Sequence, residues 1–451
     1  MANPKSTLRL PIRSAFLLLL TLLVATCMWM YFQRVLIPHQ EQEAAEKQKP
    51  RGNLSDLYPR WFGARELLLR GRDPYSADVT HEIQIGYYGR QLDPRLPNDP
   101  KDQQAFAYPL YVVWMLAPTV KLPFWIVQRA CFLTLTILTA FSVPLWLRIL
   151  DWRLPFDRAV TWAVLTVSCL PAVQGLKLQQ LTLLVAALIT MSFAELGRGR
   201  LFWAGFLMAF ATIKPQLTFL LVIWMCIWVS GNWRERRGIL RGFGLTMLLL
   251  IGASELLLPG WIKEFREAMA AYYRYTGGGG ISLLDVVFTK FWGRLVSVLL
   301  GGNLLALLWK MRRSGAGTPQ FVYSVALTLA TTLLVIPMFA PYNQILLLAP
   351  VMLLLRFSRR YLQERPLSRF FLAITKFSIF WPFFSAALLV VGLRFLPTFI
   401  IKKAAGLPFY STLAIPIMVY ATLLIAKPGL IEAEAFTLAN PRALQPNAAA
   451  E

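Results

Sequence analysis

Apolar runs separated by short, mostly basic turns fill most of this chain. They fall near residues 15 to 32, 107 to 120, 124 to 147, 158 to 176, 179 to 194, 201 to 213, 215 to 230, 238 to 258, 286 to 309, 320 to 338, 342 to 356, 371 to 393 and 405 to 426. Backbone amides in hydrocarbon find no water, so runs of this kind must close their hydrogen bonds internally as helices. With 57% apolar residues and 15% charged, the chain has too little polar surface for a soluble globule. An all-α polytopic membrane protein is expected, with about 11–13 transmembrane helices, since several runs fall short of the ~20 residues that a perpendicular span needs. Residues 107 to 120 either span or re-enter; re-entry gives a total of about twelve spans.

Charge sets the expected topology. The run at 15 to 32 follows Lys5, Arg9 and Arg13, but the next residues are Gln33, Arg34, Val35 and Leu36, which offer no small-residue cleavage site, so a retained span is expected. The N-terminus is then cytoplasmic, and residues 34–105 form a large extracytoplasmic first loop. Basic turns at Arg198 and Arg200, at Arg234, Arg236, Arg237 and Arg241, at Lys310, Arg312 and Arg313, and at Arg356, Arg359, Arg360, Arg365 and Arg369 should all face the cytoplasm. For the first two to do so, 201 to 230 must be a hairpin with Lys214-Pro215 at its tip, on the side of Asp56. The turn at Gln174 to Gln180, the loop at 259–283 and the turn at Pro337 to Gln344 share that side. Residues 1–426 are expected to form one integral membrane domain, and 427–451 a disordered cytoplasmic tail.

Some chemistries find no residues to support them. Cys27, Cys131, Cys169 and Cys226 lie scattered in apolar runs and suggest neither disulfides nor a metal site. His39 and His81 are the only histidines, too few for a histidine-based zinc or haem site. The formal charge of +23 is carried largely in turns beside spans, where lipid head groups rather than nucleic acid meet it.

The polar stretch from Asp56 to Tyr75 is where chemistry is expected. Leu57, Trp61, Ala64 and Leu68 fall on one face of a helix, which reads as amphipathic and lying on the membrane surface. Pro59 fits only a first helical turn, so Asp56 sits at or just before the helix N-terminus. There it either caps the helix or, favoured as a carboxylate by the helix dipole, serves as a general base. Glu66 and Arg70 read as a solvated i,i+4 pair. Gly71-Arg72-Asp73-Pro74-Tyr75 reads as a helix stop and turn.

Asp56 with its aromatic helix, Ala64 to Tyr75, Phe106-Ala107-Tyr108-Pro109-Leu110 and Leu116-Ala117-Pro118 together resemble glycosyltransferase family 87. Further blocks follow in order: Gln179-Gln180-Leu181-Thr182, Ala211-Thr212-Ile213-Lys214-Pro215, Gly278-Gly279-Gly280-Ile281-Ser282 and Ala340-Pro341-Tyr342-Asn343-Gln344. The resemblance runs over about residues 50 to 355. Gln179 stands where the family usually has glycine, and Thr182 and Gly280 where it has asparagine.

The resemblance implies a GT-C-like helical bundle with amphipathic helices in its extracytoplasmic loops, in a bacterial inner membrane. Its implied activity moves a hexose, mannose in the family's pattern, from a polyprenyl-phosphate donor to a lipid or glycan hydroxyl, with inversion. Asp56 would be the base. Lys214, Arg65, Arg72, Gln180, Tyr75, Ser282, Tyr342 and Asn343 would contact donor phosphate or sugar, although Lys214, Arg65 and Arg72 also suit lipid head groups. No cofactor is implied beyond the lipid-linked sugar, which is a substrate. In the 259–283 loop, Trp261, Phe265, Ala268 and Tyr272 recur at helical spacing before four glycines, suggesting an interfacial helix and a hinge that closes over the donor. A transporter using Lys214-Pro215 or Asp285 with Lys290, and a non-catalytic factor for envelope polysaccharide assembly, are the competing classes.

Overall fold

The computed structural model describes residues 12–439 other than 53–54, 94, 97, 101, 276–280, 338–339 and 359–365. Among them every regular element is a helix. The first is α1 (Ile12–Tyr31), continued through a π turn at Phe32–Leu36 into α2 (Ile37–Glu46). The first loop carries α3 (Tyr58–Arg70), α4 (Ala77–Tyr88) and α5 (Val112–Leu116). Then come α6 (Phe124–Ile149), α7 (Phe156–Ser168), α8 (Leu170–Lys177), α9 (Leu181–Gly197), α10 (Leu201–Ala211), α11 (Pro215–Ser230) and α12 (Trp233–Leu257). The rest of the chain forms α13 (Trp261–Tyr275), α14 (Leu283–Met311), α15 (Pro319–Val335), a 3-10 turn at Pro341–Leu347 leading into α16 (Leu348–Arg356), α17 (Pro366–Phe395), α18 (Thr398–Ala404), α19 (Leu407–Ser411) and α20 (Ala414–Ala439).

By length and hydropathy, six stretches can cross a membrane: Ile12–Glu46, Phe124–Ile149, Trp233–Leu257, Leu283–Met311, Pro366–Phe395 and Thr398–Ala426. The pair α7 and α8, bent by 56°, makes a seventh if it is one span. Helices α9, α10, α11 and α15 and the stretch Pro341–Arg356 are apolar but shorter, so a count of about 11–13 requires them to cross as well. Residues 107 to 120 yield only the five-residue α5 and a 3-10 turn, packed against α3, and do not span. Helix α20 runs on past Lys427 to Ala439, where Leu430 to Ala439 is rich in alanine, leucine and glutamate, all good helix formers.

The core is built around two features. In α15 every residue from Phe321 to Leu334 is buried. Its hydroxyls make this possible, since Thr328, Thr331 and Thr332 each donate to the carbonyl four residues back at 2.8 Å. Helix α10 lies between α9 and α12, and it approaches α12 closely because both carry glycine at the crossing. A Cβ on Gly205 would sit 2.0 Å from the Ile239 carbonyl oxygen, and one on Gly242 would sit 2.0 Å from that of Phe202.

The basic turns gather at one end of this bundle. The Arg236 guanidinium donates to the carbonyls of Trp228, Arg312, Arg313 and Ser314, tying the turn after α11 to the turn after α14. Leu201, just beyond Arg200, packs beside Gly238 at the same end. Helices α9 and α11 start at the opposite end and, at about 1.5 Å per residue, separate the two by roughly 25 Å. Arg359, Arg360 and Arg365 lie outside the described residues.

Candidate active site

At the opposite end the starts of three elements converge. Gln180 is the N-cap residue of α9, Lys214 that of α11, and Tyr342 and Asn343 lie in the 3-10 turn that opens at Pro341. Asp56 arrives from the first loop, its backbone N–H bonded to the Leu178 carbonyl at 2.9 Å. These residues line a cavity of about 250 Å³ together with Arg60, Asp102, Tyr108 and, from α13, Met269, Tyr272 and Tyr273.

A chain of hydrogen bonds links the polar groups. Lys214 Nζ donates to Gln180 Oε1 at 2.5 Å and to Thr182 Oγ1 at 2.8 Å, and Thr182 Oγ1 donates to Asn343 Oδ1 at 3.0 Å. Gln180 Nε2 in turn donates to Asp56 Oδ2. An ammonium has only donors, so it dictates which end of the Gln180 amide faces it and leaves the NH₂ group for the carboxylate. Lys214 is 6% exposed and lies 5.2 Å from the centre of the Tyr342 ring, so the buried cation is met by hydrogen bonds and an aromatic face. Arg60 lies 4.6 Å over the Tyr108 ring and donates to the Asp56 backbone carbonyl. The Asp102 carboxyl is pushed up by burial and by neighbouring Asp56, while Gln104 holds it through Nε2 at 2.8 Å.

Asp56 is not the helix cap. The N-cap of α3 is Leu57, and no side chain caps that end. The offset of one residue leaves the carboxylate available to Gln180.

Several expected contacts lie elsewhere. Arg72 does not line the cavity; its guanidinium pairs with Glu66 at 2.8 Å and Glu82 at 2.6 Å and fastens the turn after α3 to α4. Arg65 stacks over Trp61 at 5.3 Å. The Tyr75 hydroxyl donates to the Tyr108 carbonyl at 2.7 Å, which holds the strap that carries Tyr108 but does not reach the cavity. Ser282 caps α14 in a reciprocal capping box with Asp285. Glu66 is not a solvated partner of Arg70, since its side chain is 1% exposed and bonds both Arg70 and Arg72. Nor is the apolar face of α3 turned to lipid: Leu57, Trp61, Ala64 and Leu67 are buried against protein, with Trp61 beside Phe124. The Gly277 to Gly280 hinge lies outside the described residues.

Arg60, Asp102 and Tyr273 join the site without having been expected there, and Tyr108 joins it from the Phe106 to Leu110 block. A signal did exist for Arg60, one helical turn from Asp56, but Asp102 lies in a loop with no periodicity. Gln179 adopts φ 47°, a left-handed conformation that glycine takes freely, and its amide bonds back to the Leu176 and Lys177 carbonyls at 2.7 and 2.9 Å. Thr182 uses its hydroxyl inside the relay. Asp56 and Asp102 are the two carboxylates on the cavity wall, and among the described residues no group of three or more His, Cys, Asp or Glu comes together.

A polytopic helical bundle with a carboxylate, cations and amides gathered in one cavity is the arrangement of a membrane enzyme acting on a polar group. The sequence profile of Glycosyltransferase family 87 matches residues 106–374, more than half of the chain, and the chain belongs to that family. It is therefore a membrane glycosyltransferase. Comparisons with curated proteins and with solved structures give no match. Asp56 precedes the matched region, and its bonds to Leu178 and Gln180 tie it to that region.

Proposed function

We propose that the enzyme transfers a hexose, mannose by its family's pattern, from a polyprenyl-phosphate donor to a hydroxyl of a lipid or glycan acceptor, on the extracytoplasmic face of a bacterial inner membrane. The observation that carries this reading is the relay from Lys214 through Gln180 to Asp56 on the wall of the cavity. Asp56 accepts the acceptor's proton as its oxygen forms a bond to the anomeric carbon. The bond from that carbon to the phosphate oxygen breaks, the electron pair leaves with the lipid phosphate, and a single displacement inverts the centre. Lys214 and Arg60 supply positive charge toward the departing phosphate. Gln180, Tyr342 and Asn343 offer amide and hydroxyl partners for sugar hydroxyls. Helix α13 closes the cavity through Met269, Tyr272 and Tyr273.

The test is transfer of radiolabelled mannose from polyprenyl-phosphate-mannose by membranes containing the wild-type protein or Asp56→Asn. The variant should lose activity by about a hundred- to ten-thousand-fold, the range expected for a general base. Equal transfer by the two proteins would sink the assignment of Asp56.

A further inference from the structure

Asp102 is the second carboxylate on the cavity wall, and with Asp56 as the base it has no task in the displacement. It stands on the strap between α4 and α5, which α4 holds in place. The Tyr88 hydroxyl donates to the Asp102 carbonyl at 2.9 Å, and Gln84, 3% exposed, donates through Nε2 to the Gln103 carbonyl at 3.1 Å. Gln104 then turns at φ 51°, a left-handed conformation that a non-glycine residue keeps only where its surroundings over-determine it. The turn lets Gln104 serve the carboxylate twice, its backbone N–H reaching Oδ1 at 3.3 Å and its Nε2 reaching Oδ2 at 2.8 Å.

The carboxylate is thus fixed in direction but only partly satisfied. An ionised carboxylate has about four acceptor sites, and Gln104 takes two of them. The Tyr272 hydroxyl of α13 stands 3.5 Å from Oδ1, at the limit of hydrogen-bond distance. Among the described residues no cation forms an ion pair with Asp102. Protein atoms crowd it, and burial pushes its carboxyl up, yet it keeps accessible surface on the cavity wall. A donor arriving from the cavity would offset that cost by bonding the charged form.

The chemistry of the substrates narrows the choice of donor. A phosphate is repelled by a carboxylate and belongs beside Lys214 and Arg60, and a lipid chain has nothing to donate. The attacking hydroxyl goes to Asp56, which the Lys214 and Gln180 relay orients and to which Asp102 has no counterpart. Sugar hydroxyls remain. Arg60 lies within electrostatic reach of both acids, which sets Asp102 on the side where the donor's phosphate is met and its sugar begins. We propose that Asp102 determines sugar specificity: its carboxylate accepts a hydrogen bond from one hydroxyl of the sugar being transferred, and Gln104 holds it in position to do so. This rests on the glycosyl-transfer reading above.

The probes are polyprenyl-phosphate-mannose and its monodeoxy analogues, one for each hydroxyl, with kcat/KM for transfer measured on the full-length protein in proteoliposomes. Wild type should use one analogue about ten- to a hundredfold less well than the parent, because the carboxylate is left without its donor. In Asp102→Ala that analogue and the parent should come within about threefold of each other, while the ratios for the other analogues stay as in wild type. Asp102→Asn keeps the shape of the side chain and a neutral acceptor oxygen, so it should fold as wild type does and narrow the same ratio several-fold. A role confined to anchoring the strap would slow every donor alike, and ratios unchanged in both variants would overturn the proposal. A loss of about a hundredfold or more on every donor in Asp102→Asn would also overturn it, since that is the mark of a base. Failure of the wild type to use any of these donors would sink the mannosyl-donor reading and this proposal with it, a result distinct from unchanged ratios.

Discussion

Asp56 stands one residue before the N-cap of α3, and Gln180 reaches its carboxylate from the start of α9. Because Lys214 fixes the Gln180 amide, the three side chains act as a unit, and their effects should not add. We expect Lys214→Met and Gln180→Leu each to lower kcat for sugar transfer by about ten- to a hundredfold, and the double variant to be no slower than the worse single one. A fully additive double variant would show that the two residues act separately. Lys214 and Gln180 stood out in the chain as polar residues beside apolar runs, where each is costly without a partner, and Asp56 as the acid that opens a polar stretch and its aromatic helix. Arg72 and Ser282, expected at the same site, form ion pairs and cap a helix, since residue type alone does not say which neighbour satisfies a polar group.

Among the elements, α3 holds the site from outside the bundle. Its buried Glu66 bonds Arg70 and Arg72, and Arg72 carries the link on to Glu82 of α4. Replacing the buried acid leaves Arg72 on Glu82 and Arg70, 59% exposed, to solvent, so Glu66→Ala loses its charged hydrogen bonds without stranding a buried charge and should destabilise the protein by about 1.5–3 kcal/mol. Glu82, 40% exposed, should cost at most about 1 kcal/mol on replacement by alanine. Equilibrium unfolding in mixed micelles measures both, and equal losses would contradict this division. The helical period correctly indicated the apolar face of α3. It could not distinguish lipid from Phe124 as the surface that covers it, because both are apolar. Helix α13 carried the same ambiguity, and in the structure its Trp261 is buried and edge-on to Tyr111 at 6.1 Å.

Over the whole molecule, the basic turns and the cavity occupy opposite ends of the bundle. If the basic end is cytoplasmic, a cysteine at Arg95 should react with a membrane-impermeant maleimide in intact cells, and one at Glu235 only after permeabilisation, in a protein whose own four cysteines are replaced by alanine. The reverse pattern would invert the proposed orientation. Helical class, membrane residence and the separation of basic turns from site loops could all be read from the order of residues. Hydrophobicity and charge act on each segment through its own surroundings, and each segment therefore reports them locally. The meeting of Asp56, Gln180, Lys214 and Asn343 and the recruitment of Asp102 came from the fold. They depend on how distant helices pack, through close approaches such as Gly205 against Ile239, and the geometry of a packed pair belongs to neither segment alone.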